Sequence, residues 1–217
     1  MNNYFIILAS GQSKRFNSNK PKQFNIYKNK PLFKHSLEKA IKSKLFKKII
    51  LVINEKKHVK EKFPKSVKLI KGGKERSDSS LIALKFIKKF KPKNVLIHDA
   101  ARPFCSNILI KKILFKLRKK NNCIPYIKYN DRLINKFTNK DTKTLNIQTP
   151  QGFDYNLIFN AHNLLKDKSF LDDASLIQEI NLKINLLKGE KKNIKITYPE
   201  DLFYLDILNK PIFKSGI

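Results

Sequence analysis

Short apolar runs and longer amphipathic runs alternate along this chain. Tyr4 to Ala9 is an apolar run ending in a loop, the pattern of a strand buried on both faces of a parallel sheet. Lys48 to Ile53, Val67 to Ile70, Asn94 to His98 and Cys123 to Ile127 read as further strands. Between them Leu32 to Lys42, Asp78 to Phe90 and Ile108 to Lys119 have helical spacing. In the second of these, Leu81, Ile82, Leu84, Ile87 and Phe90 supply the apolar side. This strand–loop–helix alternation predicts an α/β fold, a mainly parallel sheet with helices on both faces.

The rhythm breaks at Lys128 to Ile147, which is polar and lacks a helical period. It predicts an extended β-arm, spanning residues 128–147 within one domain that takes in residues 1–217. Tyr155 to Leu165 and Asp173 to Ile180 read as helices, Ile184 to Leu187 and Ile194 to Thr197 as short strands. A last helix is expected from Pro199, since Pro suits the first helical position and Glu200 and Asp201 suit the first turn.

With 217 residues, 41% of them hydrophobic, the chain can bury the core of one large domain. Its apolar runs fall short of the roughly 20 residues a membrane span needs. No basic leader precedes the first strand, and Cys105 and Cys123 lack metal or CxxC spacing. A cytoplasmic, reduced, single-domain protein is therefore expected, and a disulfide scaffold and a zinc module are not.

Charge complicates this picture. Lys and Arg number 47 against 17 Asp and Glu, a net charge of +30. Such an excess suits a nucleic-acid partner or an anionic surface. Yet only five of the 47 are arginines, the lysines are spread along the whole chain, and Asn and Ile are abundant. That is the signature of an AT-rich coding sequence, and compositional drift is the favoured reading. Nucleic-acid binding would need cations interleaved with exposed aromatics, whereas the phenylalanines lie mostly in apolar stripes. The drift makes the arginines informative, because a point charge is served by Lys while a planar bidentate fork is not. Arg15, Arg76 and Arg102 each follow a strand-like run.

Ligands of open α/β sheets bind beyond the carboxyl ends of the strands, so four loops matter. In the first, Ala9-Ser10-Gly11 lets backbone N–H groups approach an anion, and Arg15 and Lys22 add cations for a triphosphate. It has neither Walker nor Rossmann spacing, and a polar surface loop with two routine cations is the plainer alternative. The second, Gly72-Gly73 to Ser79, suggests positive φ or a ligand touching the backbone, with Ser79 facing a base or sugar; a β-turn capped by Ser77 or Asp78 is the alternative. In the third, His98 to Pro103, Asp99 is suited to a hydroxyl or a divalent metal and Arg102 to a phosphate, unless the two simply pair. In the fourth, Asn193 to Thr197, Lys195 offers one cation or is a solvated lysine.

Taken in order, these segments resemble the 2-C-methyl-D-erythritol 4-phosphate cytidylyltransferase family. The resemblance runs from Ile7 to about Leu208 and rests on Ala9-Ser10-Gly11 to Pro21-Lys22-Gln23, Gly72 to Ser79, His98 to Pro103, Thr149-Pro150-Gln151, Asp172-Asp173-Ala174 and Asn193 to Leu202. It implies a Rossmann-like nucleotidyltransferase fold and transfer of CMP from CTP to a sugar-alcohol phosphate with Mg²⁺. It further implies transition-state stabilisation by Arg15, Lys22 and Lys195, and cytidine binding by Ala9, Ser10, Gly11, Gly73, Ser79 and Ala100. Asp99 and Arg102 would face the acceptor, and the protein would be a homodimer. The chain departs from the family in the arm, where Arg132 stands for a Thr, Ile134 for a Lys and Asp141 for an Arg, and at Leu171, where a Thr is common. Arg132 would then supply an acceptor-phosphate contact, and another polyol phosphate, such as ribitol 5-phosphate, is the alternative acceptor.

Overall fold

The computed structural model describes residues 2–13, 16, 20–54, 59, 62–128 and 144–209. Its strands are β1 (Asn3–Leu8), β2 (Ile26–Tyr27), β3 (Lys30–Pro31), β4 (Lys48–Val52), β5 (Val67–Ile70), β6 (Asn94–Asp99), β7 (Asn122–Lys128), β8 (Leu145–Ile147), β9 (Gln151–Asp154) and β10 (Leu186–Lys188). The helices are α1 (Leu32–Ser43), α2 (Arg76–Ile87), α3 (Asn107–Lys116), α4 (Tyr155–Leu164), α5 (Asp173–Glu179) and α6 (Asp201–Asn209). Eight strands form one sheet in the order β10-β7-β9-β6-β1-β4-β5, with β8 beside β7. The β6-β1-β4-β5 half is parallel throughout, as expected.

Strand β1 lies at the centre and is buried on both faces. Phe5, Ile7 and Ala9 join α1 and α3 in one core, while Tyr4, Ile6 and Leu8 join α2, α4 and α5 in the other. Side chains of this size contribute about 1.5–3 kcal/mol each when fully buried, so the sheet centre is the most firmly held part of the fold. A third, smaller cluster of Phe16, Tyr27, Leu32, Ile196 and Leu205 fastens α6 to the sheet's carboxyl side.

Four expectations need correction. Strand β9 was not anticipated; it runs antiparallel between β6 and β7, so the sheet is mixed. Its Gly152 breaks any apolar alternation because α3 packs on the backbone there, and a Cβ would meet Ile113 at 2.4 Å. Helix α2 begins at Arg76, and Asp78 is not its cap but folds back to accept the Glu75 N–H at 3.0 Å. Ile194 to Thr197 pairs in no ladder; Ile196 donates its N–H to Ala101 O and buries its side chain in the third cluster. Helix α6 opens at Asp201 rather than Pro199, because the Asp201 carboxylate accepts the Thr197 and Tyr198 N–H groups and folds a turn ahead of it.

The predicted arm is described only at its root. Lys128 pairs with Leu145 and Tyr126 with Ile147, so the chain leaves the sheet on β7 and returns beside it on β8. Arg132, Ile134 and Asp141 lie outside the described residues, as does Arg15 in the first loop. Among the described residues no helix is long and apolar enough to cross a membrane.

Candidate active site

Beyond the carboxyl ends of β1 and β6 lies a cleft of about 380 Å³. All four predicted loops reach it: Ser10, Gly11, Lys22, Gly73, Asp99, Ala100 and Lys195 are among its lining residues. Four cationic side chains (Lys22, Lys74, Arg76 and Lys195) face two carboxylates, Glu75 and Asp99, which leaves the cleft suited to an anion.

One wall is built from the first two loops. Gln23 is buried, and its Nε2 donates to Ala9 O at 2.8 Å and to Gly11 O at 3.0 Å. Ser13 Oγ donates to Gln23 Oε1 and accepts the Lys22 N–H at 3.0 Å, with Ser13 itself in the left-handed region at φ 59. The Pro-Lys-Gln segment thus grips the Ala-Ser-Gly turn through its glutamine and presents Lys22 to the cleft. Asn54, after β4, ties both loops by donating to Ser10 O and accepting the Gly72 N–H.

Ser79 does not face the cleft; only 1% of it is exposed. Its hydroxyl donates to Glu75 O at 3.1 Å and accepts the Gly73 N–H at 3.1 Å and the Ser10 hydroxyl at 2.9 Å, which uses its donor and both lone pairs. It fastens the two loops together instead of offering a polar edge to a ligand. Ala9 likewise sits behind the wall, its carbonyl taken by Gln23. The glycine pair serves this closeness and not positive φ, which no described glycine adopts. A Cβ on Gly72 would come within 2.6 Å of Ser10 and 2.7 Å of Ser79 Oγ.

The other wall is ionic. Asp99 Oδ2 meets Lys195 Nζ at 2.7 Å and Asp99 Oδ1 meets Arg76 Nε at 3.1 Å. Arg76 Nη1 lies 2.8 Å from Asp173 Oδ2. Burial alone would raise the Asp99 carboxyl, but Arg76, Lys195 and Arg102 outweigh it and hold it well below the ordinary carboxylate range. Burial is likewise overcome at Asp173, where Arg76 and His162 bring the carboxyl down to about 2. Both acids are therefore ionised at neutral pH.

Behind Asp99 the hydrogen bonds fix each proton. The Asp99 N–H donates to Thr149 Oγ1 at 3.0 Å, Thr149 faces His98 Nδ1 at 3.0 Å, and His98 Nε2 faces Arg102 O at 3.2 Å. A carbonyl only accepts, so Nε2 carries the proton and Nδ1 takes the Thr149 hydroxyl. Burial pushes His98 down to about 3 and keeps it neutral.

Arg102 departs from its expected place. It is buried, and Nη1 and Nη2 donate to Asn193 O at 2.8 Å and Ile147 O at 3.2 Å. Neither a phosphate clamp nor a pair with Asp99 is what its fork makes; it holds backbone. The arginine that pairs with Asp99 is Arg76, at the start of α2, beside Lys195 as the second cation on that carboxylate. Arg76, Gln23, Asp173 and His162 are the site-associated residues that reading the loops missed, and scarce arginine was the one signal that pointed to the first.

Among the described residues no group of three His, Cys, Asp or Glu side chains is placed to hold a metal. Both Asp99 oxygens already carry a cation. Asp99 and Glu75 are the carboxylates that line the cleft, the hard oxygen donors that a divalent ion would take.

A mixed α/β sheet with a cationic cleft at its strand ends and a small-residue loop gripped by Pro-Lys-Gln defines a nucleotidyltransferase. Residues 4–209 match the family model for IspD, 2-C-methyl-D-erythritol 4-phosphate cytidylyltransferase, and the chain belongs to that family. Among its relatives, the bifunctional enzyme IspD/IspF of Pelagibacter ubique is 44% identical over 96% of this chain, and 2-C-methyl-D-erythritol 4-phosphate cytidylyltransferase of Bacillus cytotoxicus is 35% identical over 91% of this chain and 93% of its own length. The structure of bifunctional IspDF from Campylobacter jejuni superposes with a TM-score of 0.83 at 32% identity over 95% of this chain. The chain spans 58% of the first bifunctional relative and 55% of the second. Enzymes of this family are cytidylyltransferases of isoprenoid biosynthesis that make 4-diphosphocytidyl-2C-methyl-D-erythritol from CTP, and they typically use a divalent metal.

Proposed function

We propose that this chain transfers CMP from CTP to 2-C-methyl-D-erythritol 4-phosphate and releases pyrophosphate. The observation that carries the reading is that Lys22 and Lys195, from opposite ends of the sequence, line one cleft with Asp99. An acceptor phosphate oxygen attacks the α-phosphorus in line; the new O–P bond forms as the bond to the β-phosphate bridging oxygen breaks. No general base is required, because a phosphate monoester with a second pKa near 6 is mostly dianionic at neutral pH. Lys22, with Arg15, takes up charge on the α-phosphoryl oxygens, and Lys195 meets the acceptor phosphate. Asp99 keeps lone pairs free of its two cations and accepts an acceptor hydroxyl. The Ser10–Gly11, Gly73 and Ala100 backbone encloses cytidine, with Ala9 and Ser79 supporting that wall. When bound, Mg²⁺ would supply charge neutralisation for the leaving pyrophosphate. Arg102 contributes through the backbone it holds, and Arg132 contacts the acceptor phosphate across a homodimer joined by the arm. A cytoplasmic location belongs to the same reading, and nucleic acid and membrane do not.

The test is pyrophosphate release in a coupled assay with CTP, Mg²⁺ and either methylerythritol phosphate or ribitol 5-phosphate. Turnover with the first should exceed that with the second by about tenfold or more, the discrimination expected when buried polar groups are left unpaired by the wrong acceptor. Equal or reversed rates would discard the acceptor assignment.

A further inference from the structure

Two members of the ionic wall have no part in the reaction just described. Charges alternate in a row from the cleft inward through Lys195, Asp99, Arg76 and Asp173, with contacts of 2.7, 3.1 and 2.8 Å, and the His162 ring ends the row by its Nε2 contact with Asp173 at 2.9 Å. The first three line the cleft. Asp173 and His162 lie beneath it, 0% and 3% exposed. His162 comes from the buried face of α4, where its neighbours Ile158 and Ala161 are ordinary apolar core.

A single guanidinium serves two carboxylates here, so its position is a balance between them. Asp173 can hold its end only while its other oxygen is fixed, and His162 Nε2–H fixes it. A buried carboxylate oxygen stripped of its donor costs more than the net value of the bond, and the remaining partners shift to compensate. The segment carrying Asp173 does not depend on His162. Asp172 caps α5 through the Ser175 N–H and hydroxyl, and Gln151 of β9 donates to Asp172 and accepts the Ala174 N–H. Loss of the histidine therefore frees the Asp173 carboxylate without freeing its helix.

We propose that His162 is a positioning residue for the acceptor half of the reaction, acting through Asp173 and Arg76 on Asp99 and Lys195. The proposal rests on the reading that Asp99 and Lys195 face the acceptor. Steady-state kinetics of the full chain with CTP and methylerythritol phosphate test it. His162→Leu should lower kcat/KM for the acceptor about tenfold and leave KM for CTP within about twofold. His162→Gln, whose amide N–H can meet the Asp173 oxygen, should recover to within about threefold of wild type. Added to Asp99→Asn, His162→Leu should cost no more than about twofold, because the route it acts through is already cut. Equal effects on both substrates, no rescue by Gln, or losses that multiply with Asp99→Asn would overturn it. If His162→Leu fails to fold, Asp173→Asn carries the same acceptor-selective expectation, and a change in both substrates alike rejects it. Asp99→Asn alone judges the underlying reading: wild-type acceptor kinetics there would remove the site assignment whatever His162 does.

Discussion

The two walls of the cleft are made by different physics. The first joins loops through neutral groups, with Gln23 on Ala9 and Gly11, Ser79 on Gly73 and Ser10, and Asn54 on Ser10 and Gly72. The second is a chain of ion pairs through Asp99, Arg76 and Asp173. Neutral hydrogen bonds each contribute about 0.5–1.5 kcal/mol net and are indifferent to pH over the working range, so they define a shape. Buried charges are costly to desolvate and survive only when paired, so they define a field and bring a pH limit with them. In the proposed reaction the nucleotide meets the shape and the acceptor meets the field.

Changing Lys22 probes the division most forcefully. Lys22→Ala should lower kcat by about 10²–10³-fold, as loss of one transition-state cation or donor does, while KM for CTP moves only a few-fold. If KM rises as much as kcat falls, Lys22 belongs to ground-state binding and the contrast between the walls blurs.

Acid comes next in size. His98 has a folded value of about 3 against 6.5 unfolded, so between those values the unfolded chain binds the extra proton and stability falls as pH drops. The loss should approach about 1.4 kcal/mol per pH unit below pH 6.5. Asp173 is depressed to about 2 from 3.8, so its contribution is complete above 3.8 and disappears only as pH falls toward 2. Urea unfolding at intervals from pH 7 to pH 3 should show the first slope well before the second. A flat profile between pH 6.5 and 4 would contradict the neutral, buried His98.

Ser79→Ala is the mildest test. It leaves the Gly73 N–H and the Ser10 hydroxyl without their shared partner and should cost about 1–3 kcal/mol. Because no charge is involved, the cost should be the same at pH 7 and pH 5, and KM for CTP should rise more than KM for the acceptor. A pH-dependent cost would mean that the neutral wall is coupled to the ionic one.

What the sequence made legible follows the same line. Tyr4 to Ala9 announced itself because a parallel strand buried on both faces needs no polar position. Lys22 and Asp99 stood out because they lie at or beyond a strand's carboxyl end, and Lys195 because it stands between two isoleucines in a short strand-like run. The Arg76–Asp99 pair did not, since β5 and β6 are separated in the sheet by β4 and β1 and only the fold swings α2's first turn over Asp99. Strand β9 was hidden by Gly152, whose missing side chain serves α3 and not the strand. His162 shares α4 with Asn156, Asn160 and Asn163, and nothing local distinguishes it as the one that a carboxylate from α5 would meet. Ser79 was placed on the right loop with the wrong orientation, because spacing does not tell which way a hydroxyl in the first helical turn will turn.

Arg102 has a mechanical consequence. Its fork grips Ile147, where the chain returns from the arm, and Asn193, two residues before Lys195. Asn193 grips back on Thr149, and Gln148 on Asn193 and Glu190. The root of the arm and the segment bearing Lys195 are thus riveted into one rigid bracket. Anything that pulls on the arm levers an ammonium group at the far end, and a lysine at 102, with one head to serve two strands of backbone, would leave that lever slack.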